Sequence, residues 1–424
     1  MQTSLAYFIK DTPQGREADS ILRTCVHCGF CTATCPTYQL LGDELDGPRG
    51  RIYLIKQLLE TGQASAKTRL HLDRCLTCRA CETTCPSGVR YGHLLDIGRG
   101  LVSERVGRPR AQVLMRRGLA AVLSRRSLFA PLLAIGRLAR PLLPGALAEK
   151  IPAKSAVAGA WPQARHARKM LALAGCVQSA LGPGINAAAA RVLDRLGISL
   201  IEARGAGCCG ALRYHLDFQV QGLGDMRRLI DAWWPAIEQG AEAIVITASG
   251  CGAMVKDYGH ALAHDPAYAE KAGRVSALAK DVSEVVAAEL ETLVRVIEER
   301  SGSKGAPLTP APRIAFHPPC TLQHGQKIRG VTERVLGAAG FELANVPDAH
   351  LCCGSAGTYS ILQPELSRQL KRAKLAALAS GLPEMIVSSN IACQAHLASE
   401  AEVPVKHWIE ALDERLAQQP APRW

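Results

Sequence analysis

The pattern of apolar and polar positions divides the chain into a helical first part and a second part in which strands alternate with helices. Between Pro48 and Gly62, apolar residues fall at helical spacing, with proline near the start and glycine near the end. This pattern predicts an amphipathic helix whose apolar positions are Ile52, Leu54, Ile55, Leu58 and Leu59. From about residue 170 onward, short apolar runs alternate with helix-like stretches, which predicts α/β domains.

The α/β part contains an internal repeat. Cys176 follows an apolar run, a cysteine pair in GCCGA comes 32 residues later, and Cys251 follows a second apolar run. Cys320, the pair in LCCGSAG and Cys393 repeat this order, and the copies are offset by 144 residues at the first three cysteines and by 142 at the last. Strand, helix and strand is the simplest interpretation of each copy. The repeat therefore predicts a duplicated α/β domain with cysteines at strand ends and in loops.

We predict a multidomain fold from these patterns and from the length of 424 residues. A mainly α-helical, ferredoxin-like N-terminal domain occupies residues 1–100, and a basic helical linker follows at 101–169. The two duplicated α/β domains occupy residues 170–300 and 311–414. The linker is expected to contain helical patches such as AQVLMRRGLAAVL, separated by the prolines at positions 131, 141, 144 and 152.

Positive charge is concentrated between Arg99 and Lys169. This stretch contains twelve Arg and three Lys, and its only acidic residues are Glu104 and Glu149, so its net charge is +13, whereas the whole chain carries +12. Such one-sided charge favours contact with an anionic lipid surface or an acidic partner subunit over a solvated face. No run of 18 apolar residues and no signal peptide is found, so we expect a cytoplasmic protein without a transmembrane helix.

The 16 cysteines fall into four groups of four, in a chain long enough to fold without disulfides. Clustered thiols in a reducing compartment indicate metal ligands. The first two groups lie in CVHCGFCTATCP and CLTCRACETTCP, which are too rich in thiols for one structural zinc ion. Their spacing matches the bacterial ferredoxin pattern, in which the fourth cysteine of each motif serves the other cluster. This resemblance implies one [4Fe-4S] cluster on Cys25, Cys28, Cys31 and Cys85, and a second on Cys75, Cys78, Cys81 and Cys35.

The other eight cysteines resemble the cysteine-rich CCG domain of heterodisulfide reductase subunits and of partners of flavin-linked dehydrogenases. Their two sets are Cys176, Cys208, Cys209 and Cys251, and Cys320, Cys352, Cys353 and Cys393. The fuller family pattern has a fifth cysteine, and Met254 and His396 stand at those positions here. Three interpretations stay open: a further iron-sulfur cluster in one or both domains, a redox-active thiol pair, or buried inert cysteines.

A few residues near the cysteines have two interpretations each. His27 and His317 could tune a cluster through a hydrogen bond, but a lone histidine near cysteines is more often a packing or surface residue, and we assign them no catalysis. Arg49 and Arg51 could offset the negative charge of a cluster or form a solvated helix start. The glycine after each cysteine pair, Gly210 or Gly354, is expected to let the backbone approach closely.

The order of these motifs over nearly the whole chain resembles the iron-sulfur subunits of bacterial glycolate oxidases, also called glycolate dehydrogenases. The two ferredoxin-type motifs, GPRGR, GAGCCGA, ASGCG, FHPPCTLQHGQ and LCCGSAGTYS carry the resemblance. It implies an electron-transfer subunit whose separate FAD-binding dehydrogenase subunits oxidise glycolate to glyoxylate, and D-lactate similarly. Electrons would pass towards a membrane quinone or another acceptor, with peripheral association at the cytoplasmic face of the inner membrane.

This chain itself is expected to transfer electrons without oxidising the substrate. No G-x-G-x-x-G motif opens a helix after a strand, and no base-plus-arginine constellation marks a site for 2-hydroxy acids. The nearest alternatives are the iron-sulfur subunits of anaerobic glycerol-3-phosphate dehydrogenase, lactate-utilisation and heterodisulfide-reductase-like complexes. An iron-sulfur sensor or nucleic-acid binder would use the basic stretch on phosphates. Aromatic residues make up only 4% of the chain, so we expect no nucleic-acid partner.

Overall fold

The computed structural model describes residues 1–142, 158–301 and 311–417. These residues form a helical N-terminal domain, a helical hairpin and two α/β domains in chain order. The multidomain fold predicted from the apolar pattern is therefore confirmed. The part of the predicted linker that contains Pro144 and Pro152 lies outside the described residues.

Short helices around an apolar centre make up the N-terminal domain. They are α1 (Pro13–Thr24), α2 (Pro36–Leu41), α3 (Pro48–Thr61), α4 (Ala66–Asp73), α5 (Ala80–Thr84) and α6 (Tyr91–Arg105), with 3-10 turns at Phe30–Thr32 and Glu44–Asp46. Proline opens α1, α2 and α3, and Gly62 ends α3 with φ of 73°, so the predicted amphipathic helix is confirmed. Its buried leucines pack against Leu94 and Leu95 of α6 in one apolar core.

The basic stretch begins inside α6 and continues as a hairpin of two helices. These are α7 (Arg110–Leu123) and α8 (Arg126–Ala139), followed by a 3-10 turn at Arg140–Leu142. Two details differ from expectation: α6 continues past the predicted boundary at residue 100, because Val102 is still part of the core, and Pro131 lies inside α8 rather than ending a helix. Among the described residues, no single helix is long and apolar enough to cross a membrane. The pair Arg110–Leu123 and Arg126–Leu142 meets that length and composition only jointly, across a bend of 102°.

The first α/β domain is built on four parallel strands. These are β1 (Arg168–Ala172), β2 (Ile198–Glu202), β3 (Ile244–Ile246) and β4 (Ala279–Asp281), in the order β2-β1-β3-β4. Its helices are α9 (Gln178–Leu181), α10 (Gly184–Arg195), α11 (Ala211–His215), α12 (Gln219–Glu238), α13 (Ser249–Lys256), α14 (Tyr258–Ala261), α15 (Ala269–Leu278), α16 (Val282–Ala288) and α17 (Leu290–Ser301). β1 begins slightly before the predicted boundary at residue 170.

The second α/β domain repeats this architecture. Its strands are β5 (Arg313–His317), β6 (Glu342–Leu343), β7 (Met385–Ser388) and β8 (Val405–His407), in the order β6-β5-β7-β8, again all parallel. Its helices are α18 (Val331–Ala338), α19 (Tyr359–Leu362), α20 (Pro364–Ala379), α21 (Ile391–Ala398) and α22 (Trp408–Ala417), with a π-helical turn at Thr321–Gly325. The predicted duplication is confirmed, and the last helix extends beyond the predicted end at residue 414.

The two α/β domains pack against each other through the loops that follow β3 and β7. The backbone N–H of Ser249 donates to the carbonyl of Ser389 at 3.1 Å, and a ring nitrogen of His407 lies 2.8 Å from the carbonyl oxygen of Thr247. One apolar core includes residues of both sheets. The hydroxyls of Ser249 and Thr321 are 2.8 Å apart, so this packing brings the segments that contain Cys251 and Cys320 into contact.

Two arginines of the basic stretch hold the N-terminal domain to the first α/β domain. The guanidinium of Arg108 contacts Asp73 at 2.5 Å and Asp217 at 2.8 Å, and Arg116 contacts the same two carboxylates at 3.2 and 3.1 Å. All four side chains are largely buried. Part of the positive charge of the linker is therefore used inside the fold rather than on a surface.

Candidate metal centre

The two ferredoxin-type motifs fold into loops with the same backbone conformation. His27 and Gly29 in the first loop have φ of 57° and 85°, and Thr77 and Arg79 at the matching places of the second have 55° and 59°. Positive φ is uncommon outside glycine and concentrates at ligand clamps. The local sequence thus bends each loop so that thiols three positions apart surround one centre.

The first loop gathers its own thiols together with one from the second motif. Cys25 ends α1, Cys31 lies in the first 3-10 turn, and Cys85 ends α5. Burial, and after it the nearby thiols of Cys25, Cys85 and Cys28, raises the pKa of Cys31 to about 11. The four cysteines assigned to the first cluster therefore lie in one group.

The second group surrounds a small cavity between the second loop and the start of α3. The cavity is lined by the four thiols assigned to the second cluster, Cys35, Cys75, Cys78 and Cys81. Each motif thus contributes its last cysteine to the other group, which is the crossed arrangement implied by the ferredoxin pattern. That these eight thiols bind iron stays a prediction.

Arg51 lies beside the second group and is only 1% exposed. It donates to the carbonyl of His71 at 2.7 Å, to the hydroxyl of Thr37 at 3.1 Å and to the carboxylate of Asp46 at 3.3 Å. Burial acts to lower the pKa of Arg51, but nearby ionisable groups, with the Cys75 thiol first among them, raise it overall. The interpretation of a solvated helix start is therefore wrong for Arg51, whereas Arg49 lies at the surface and pairs with Glu44 at 2.6 Å.

Tyr91 is a residue of this site that the sequence reasoning missed. Its hydroxyl donates to the sulfur of Cys75 at 3.7 Å, and the backbone N–H of Thr77 donates to the same sulfur at 3.4 Å. Donors to a ligand sulfur tune the reduction potential of an iron-sulfur centre. Nothing in the spacing of YGHLLD marks Tyr91, because it reaches the loop only through the packing of α6.

The residues present fit two iron-sulfur clusters. All 16 cysteines of the chain carry free thiols, eight of them are gathered here in two groups of four, and a buried guanidinium adjoins the second group. Four thiolates are the ligand set of a [4Fe-4S] cluster, and a cation beside them offsets their negative charge.

The two groups differ in their access to solvent. Cys28 is exposed, and its neighbours Val26 and Phe30 are 67% and 61% exposed, so the first group lies at the molecular surface. The second group is covered by the second α/β domain. Leu76 and Cys78 of the N-terminal domain pack in one cluster with Cys320, Cys352 and Tyr359 of the second α/β domain. The Tyr359 hydroxyl also donates to the Arg74 carbonyl at 3.1 Å, which anchors this contact.

The cysteines of the first α/β domain also converge. The thiols of Cys176 and Cys208, of Cys208 and Cys209, and of Cys209 and Cys251 lie close enough to shift one another's pKa values. The backbone N–H of Gly210 donates to Cys208 at 3.4 Å, and a Cβ at Gly210 would lie 2.6 Å from the Gly222 carbonyl. The expected close backbone approach is therefore present at this glycine.

The second α/β domain gathers its four cysteines in the same way. The sulfurs of Cys320 and Cys352 lie 3.8 Å apart, and the thiols of Cys352, Cys353 and Cys393 lie close enough to shift one another's pKa values. The expectation that all these cysteines lie in loops and at strand ends is wrong in part. Cys251 and Cys393 lie in the first turns of α13 and α21, because each helix starts directly after its strand.

The two histidines singled out in the sequence have different environments. His27 is partly exposed in the first loop, and its Nε2 atom has no hydrogen-bond partner among the described residues. His317 is fully buried at the end of β5, and one ring nitrogen lies with the sulfurs of Cys353 and Cys393 in a group no wider than 4.8 Å. A surface role for His317 is therefore excluded.

Comparison with known proteins agrees with this arrangement. A 4Fe-4S dicluster domain matches residues 21–89, and a cysteine-rich domain matches residues 170–256 and again 314–398. The glycolate oxidase iron-sulfur subunit of Escherichia coli is 56% identical over 420 residues, which cover 99% of this chain and 100% of that protein. The chain belongs to the family of glycolate oxidase iron-sulfur subunits. The resemblance seen in the sequence motifs is thereby confirmed.

More distant relatives of this glycolate oxidase iron-sulfur subunit family were also found. A probable glycolate oxidase iron-sulfur subunit of Bacillus subtilis is 27% identical and covers 88% of this chain and 87% of that protein. Lactate utilization protein A of Bacillus licheniformis is 25% identical and covers 57% of this chain and 97% of that protein. In the present chain, the segment that matches the dicluster domain, residues 21–89, contains all eight cysteines of the two N-terminal groups.

Proposed function

We propose that this chain is the electron-transfer subunit of a glycolate dehydrogenase complex. It accepts electrons from FAD-binding subunits that oxidise glycolate to glyoxylate, and D-lactate similarly, and passes them towards a membrane quinone. The observation that carries this proposal is the unequal placement of two adjacent four-thiol groups, one at the surface and one enclosed. When bound, iron-sulfur clusters supply one-electron transfer, which divides the two electrons of a reduced flavin.

The residues of this chain hold the two groups close together and give each a different environment. Crossing of the last cysteine of each motif ties both groups to one small helical domain. Arg51 and Tyr91 place a positive charge and a hydrogen-bond donor beside the second group. The enclosing apolar residues keep water away from it.

The surface around the first group is suited to contact with a flavin subunit. Val26 and Phe30, which are 67% and 61% exposed, flank exposed Cys28. Exposed aromatic and aliphatic side chains beside a redox group indicate a docking face. We therefore assign electron entry to this face.

Membrane association is the second part of the proposal. α8 exposes Leu128, Leu132, Ile135 and Leu138, and Arg125 and Arg126 at its start are exposed as well. An apolar surface flanked by arginines suits the headgroup region of an anionic bilayer. A peripheral position at the cytoplasmic face of the inner membrane would place the chain near its quinone acceptor.

The proposal is tested with the full chain and its FAD-binding subunits under anaerobic conditions. Glycolate should bleach the iron-sulfur absorbance of this chain only when the FAD-binding subunits are present. The Phe30→Glu variant should bleach at least about 10-fold more slowly with unchanged iron content, because a buried interface aromatic contributes about 2 kcal/mol or more. Leu382→Glu, which changes a leucine 80% exposed on the second α/β domain, serves as the control. Absence of glycolate-driven bleaching in the assembled complex would refute the proposal.

A further inference from the structure

His317 is buried without a partner for either of its ring nitrogens. The residue is 1% exposed, and neither Nδ1 nor Nε2 has a hydrogen-bond partner among the described residues. Burial of an unpaired polar group costs free energy, so a native imidazole in this position requires a further partner. One ring nitrogen lies in the group of ligand atoms formed with the sulfurs of Cys353 and Cys393.

The duplicated domain shows that this histidine is not required by the fold. Leu171 pairs with Ile244 in the first sheet, and Ala315 pairs with Ile386 in the second, so Leu171 and Ala315 are equivalent positions. Two residues further along the chain, Leu173 of the first domain is therefore equivalent to His317 of the second. Leu173 is 3% exposed and belongs to an ordinary apolar core. The first domain fills this place with an apolar side chain, whereas the second presents a nitrogen donor to its thiols.

The position of the missing fifth cysteine does not supply that donor. His396 stands there, but the group that could hold a metal ion contains His317 and does not include His396. The ring of His396 is instead 3.3 Å from the hydroxyl of Ser367. Its twin in the first domain is Met254, which packs in the same apolar core as Leu173.

We propose that the second cysteine-rich domain holds a metal centre of mixed nitrogen and sulfur ligation, in which His317 is a ligand beside Cys353 and Cys393. Cys320 and Cys352, whose sulfurs lie 3.8 Å apart, are the further thiols of this domain from which the remaining ligand would come. Imidazole and thiolate together suit zinc or iron. The first domain has Leu173 at the place of His317, so the two copies differ in the chemistry of their sites.

The position of this centre gives it a role if it contains iron. Cys320 and Cys352 share a buried apolar cluster with Cys78 of the second N-terminal group. Imidazole in place of thiolate raises the reduction potential of an iron-sulfur centre, which favours electron uptake from an all-thiolate neighbour. The ligation itself does not depend on the function proposed above, because metal content and activity with glycolate are measured separately.

The test counts iron, zinc and acid-labile sulfide in the full chain after anaerobic purification, and compares variants that transplant residues of the first domain. Wild type should contain metal beyond the about eight irons of the dicluster domain. His317→Leu should lose this additional metal, and the matched control His396→Met should keep it. His317→Cys should keep metal but lose the nitrogen signature, which separates loss of a ligand from misfolding.

The nitrogen signature is read by pulsed electron paramagnetic resonance with ¹⁵N-histidine for iron, or by X-ray absorption at the zinc edge for zinc. A histidine coupling or imidazole shell in wild type that disappears in His317→Leu and His317→Cys supports the ligation. Equal metal in wild type and His317→Leu, no metal beyond the dicluster domain in wild type, or a signature unaffected by His317 would each overturn it.

Discussion

Asp46 is a buried carboxylate that contacts the basic residues around the second cysteine group. Its carboxylate is fully buried and contacts Arg74 at 2.8 Å, His71 at 3.1 Å and Arg51 at 3.3 Å. Its backbone carbonyl accepts from the hydroxyl of Thr37 at 2.8 Å. The loop before α3 therefore depends on a charged residue that the ferredoxin-type spacing does not reveal.

We expect Asp46→Ala to lower the free energy of unfolding by about 3–5 kcal/mol, because it removes the buried carboxylate partner of the Arg51 guanidinium. Glu44→Ala removes the half-exposed partner of Arg49 and should cost no more than about 1 kcal/mol. Anaerobic denaturant unfolding of the two variants, with iron content recorded, measures the difference. Equal losses in both variants would contradict the assigned role of Asp46.

Gly354, which follows the second cysteine pair, has a backbone conformation and surroundings that favour glycine. It has φ of 85°, and an added Cβ would lie 2.6 Å from the carbonyl of Ser367. Gly330, with φ of 68°, has open space around the same position, so it isolates the backbone cost. Gly330→Ala should cost about 1 kcal/mol of unfolding free energy, and Gly354→Ala at least twice that. A smaller loss of unfolding free energy for Gly354→Ala in thermal unfolding would show that the turn after the cysteine pair tolerates a side chain.

At the scale of elements, the α7–α8 hairpin is the part of the fold whose apolar side chains face outward. We expect the Ile135→Glu, Leu138→Glu double variant to bind anionic lipid vesicles at least about 10-fold more weakly, because each large apolar side chain contributes about 1.5–3 kcal/mol on burial. Vesicle co-sedimentation measures this, with Leu382→Glu as the control. An equal loss in the control would point to general destabilisation rather than a membrane face.

The charge of the hairpin gives a separate prediction. Changing Arg125 and Arg126 to Gln should weaken binding to anionic vesicles by about 1 kcal/mol for each residue, and high salt should remove the difference. Vesicles without anionic lipid provide the comparison within the same assay. Binding that is insensitive to salt and to lipid charge would assign the hairpin to a protein partner instead.

At the scale of the whole molecule, His93 connects the N-terminal domain to the first α/β domain. Its ring lies 3.3 Å from Glu17 and 3.2 Å from Asp257, and it stacks on His260 at 3.8 Å. Arg79 also contacts Asp257, at 3.1 Å. Burial acts to lower the pKa of His93, but the carboxylates of Asp257 and Glu17 raise it from 6.5 to about 9.

This raised pKa predicts a pH dependence at the domain contact. The contribution of His93 to stability is complete below pH 6.5 and is lost as the pH rises towards 9, whereas the lowered pKa values of Glu17 and Asp257 remove stability as the pH falls through acid values. Between pH 6.5 and 9.5, wild type should lose up to about 3 kcal/mol more than His93→Gln. His264→Gln, at an exposed histidine, should behave like wild type in the same thermal unfolding series.

Much of the fold could be predicted because its determinants are local. The helix from Pro48 to Thr61 needs only its apolar spacing, its opening proline and Gly62, and the duplicated domains follow from cysteine offsets along the chain. The prediction was wrong where a local rule met tertiary packing. Pro131 is tolerated inside α8. Arg51, for which a solvated helix start was one of two interpretations, is instead buried by contacts to Asp46 and the His71 carbonyl.

The sequence by itself determined which three thiols share each N-terminal loop, because they stand three positions apart. That the fourth thiol of each group comes from the other motif is what the resemblance to the ferredoxin pattern implies. The tertiary structure decided which group is exposed and which is enclosed. That outcome depends on contacts such as the Tyr359–Arg74 hydrogen bond, between residues 285 positions apart. It also decided that His317, and not His396, lies among the thiols of its domain. Such placements arise from the packing of whole domains, where each contact is established only after every element has its neighbours.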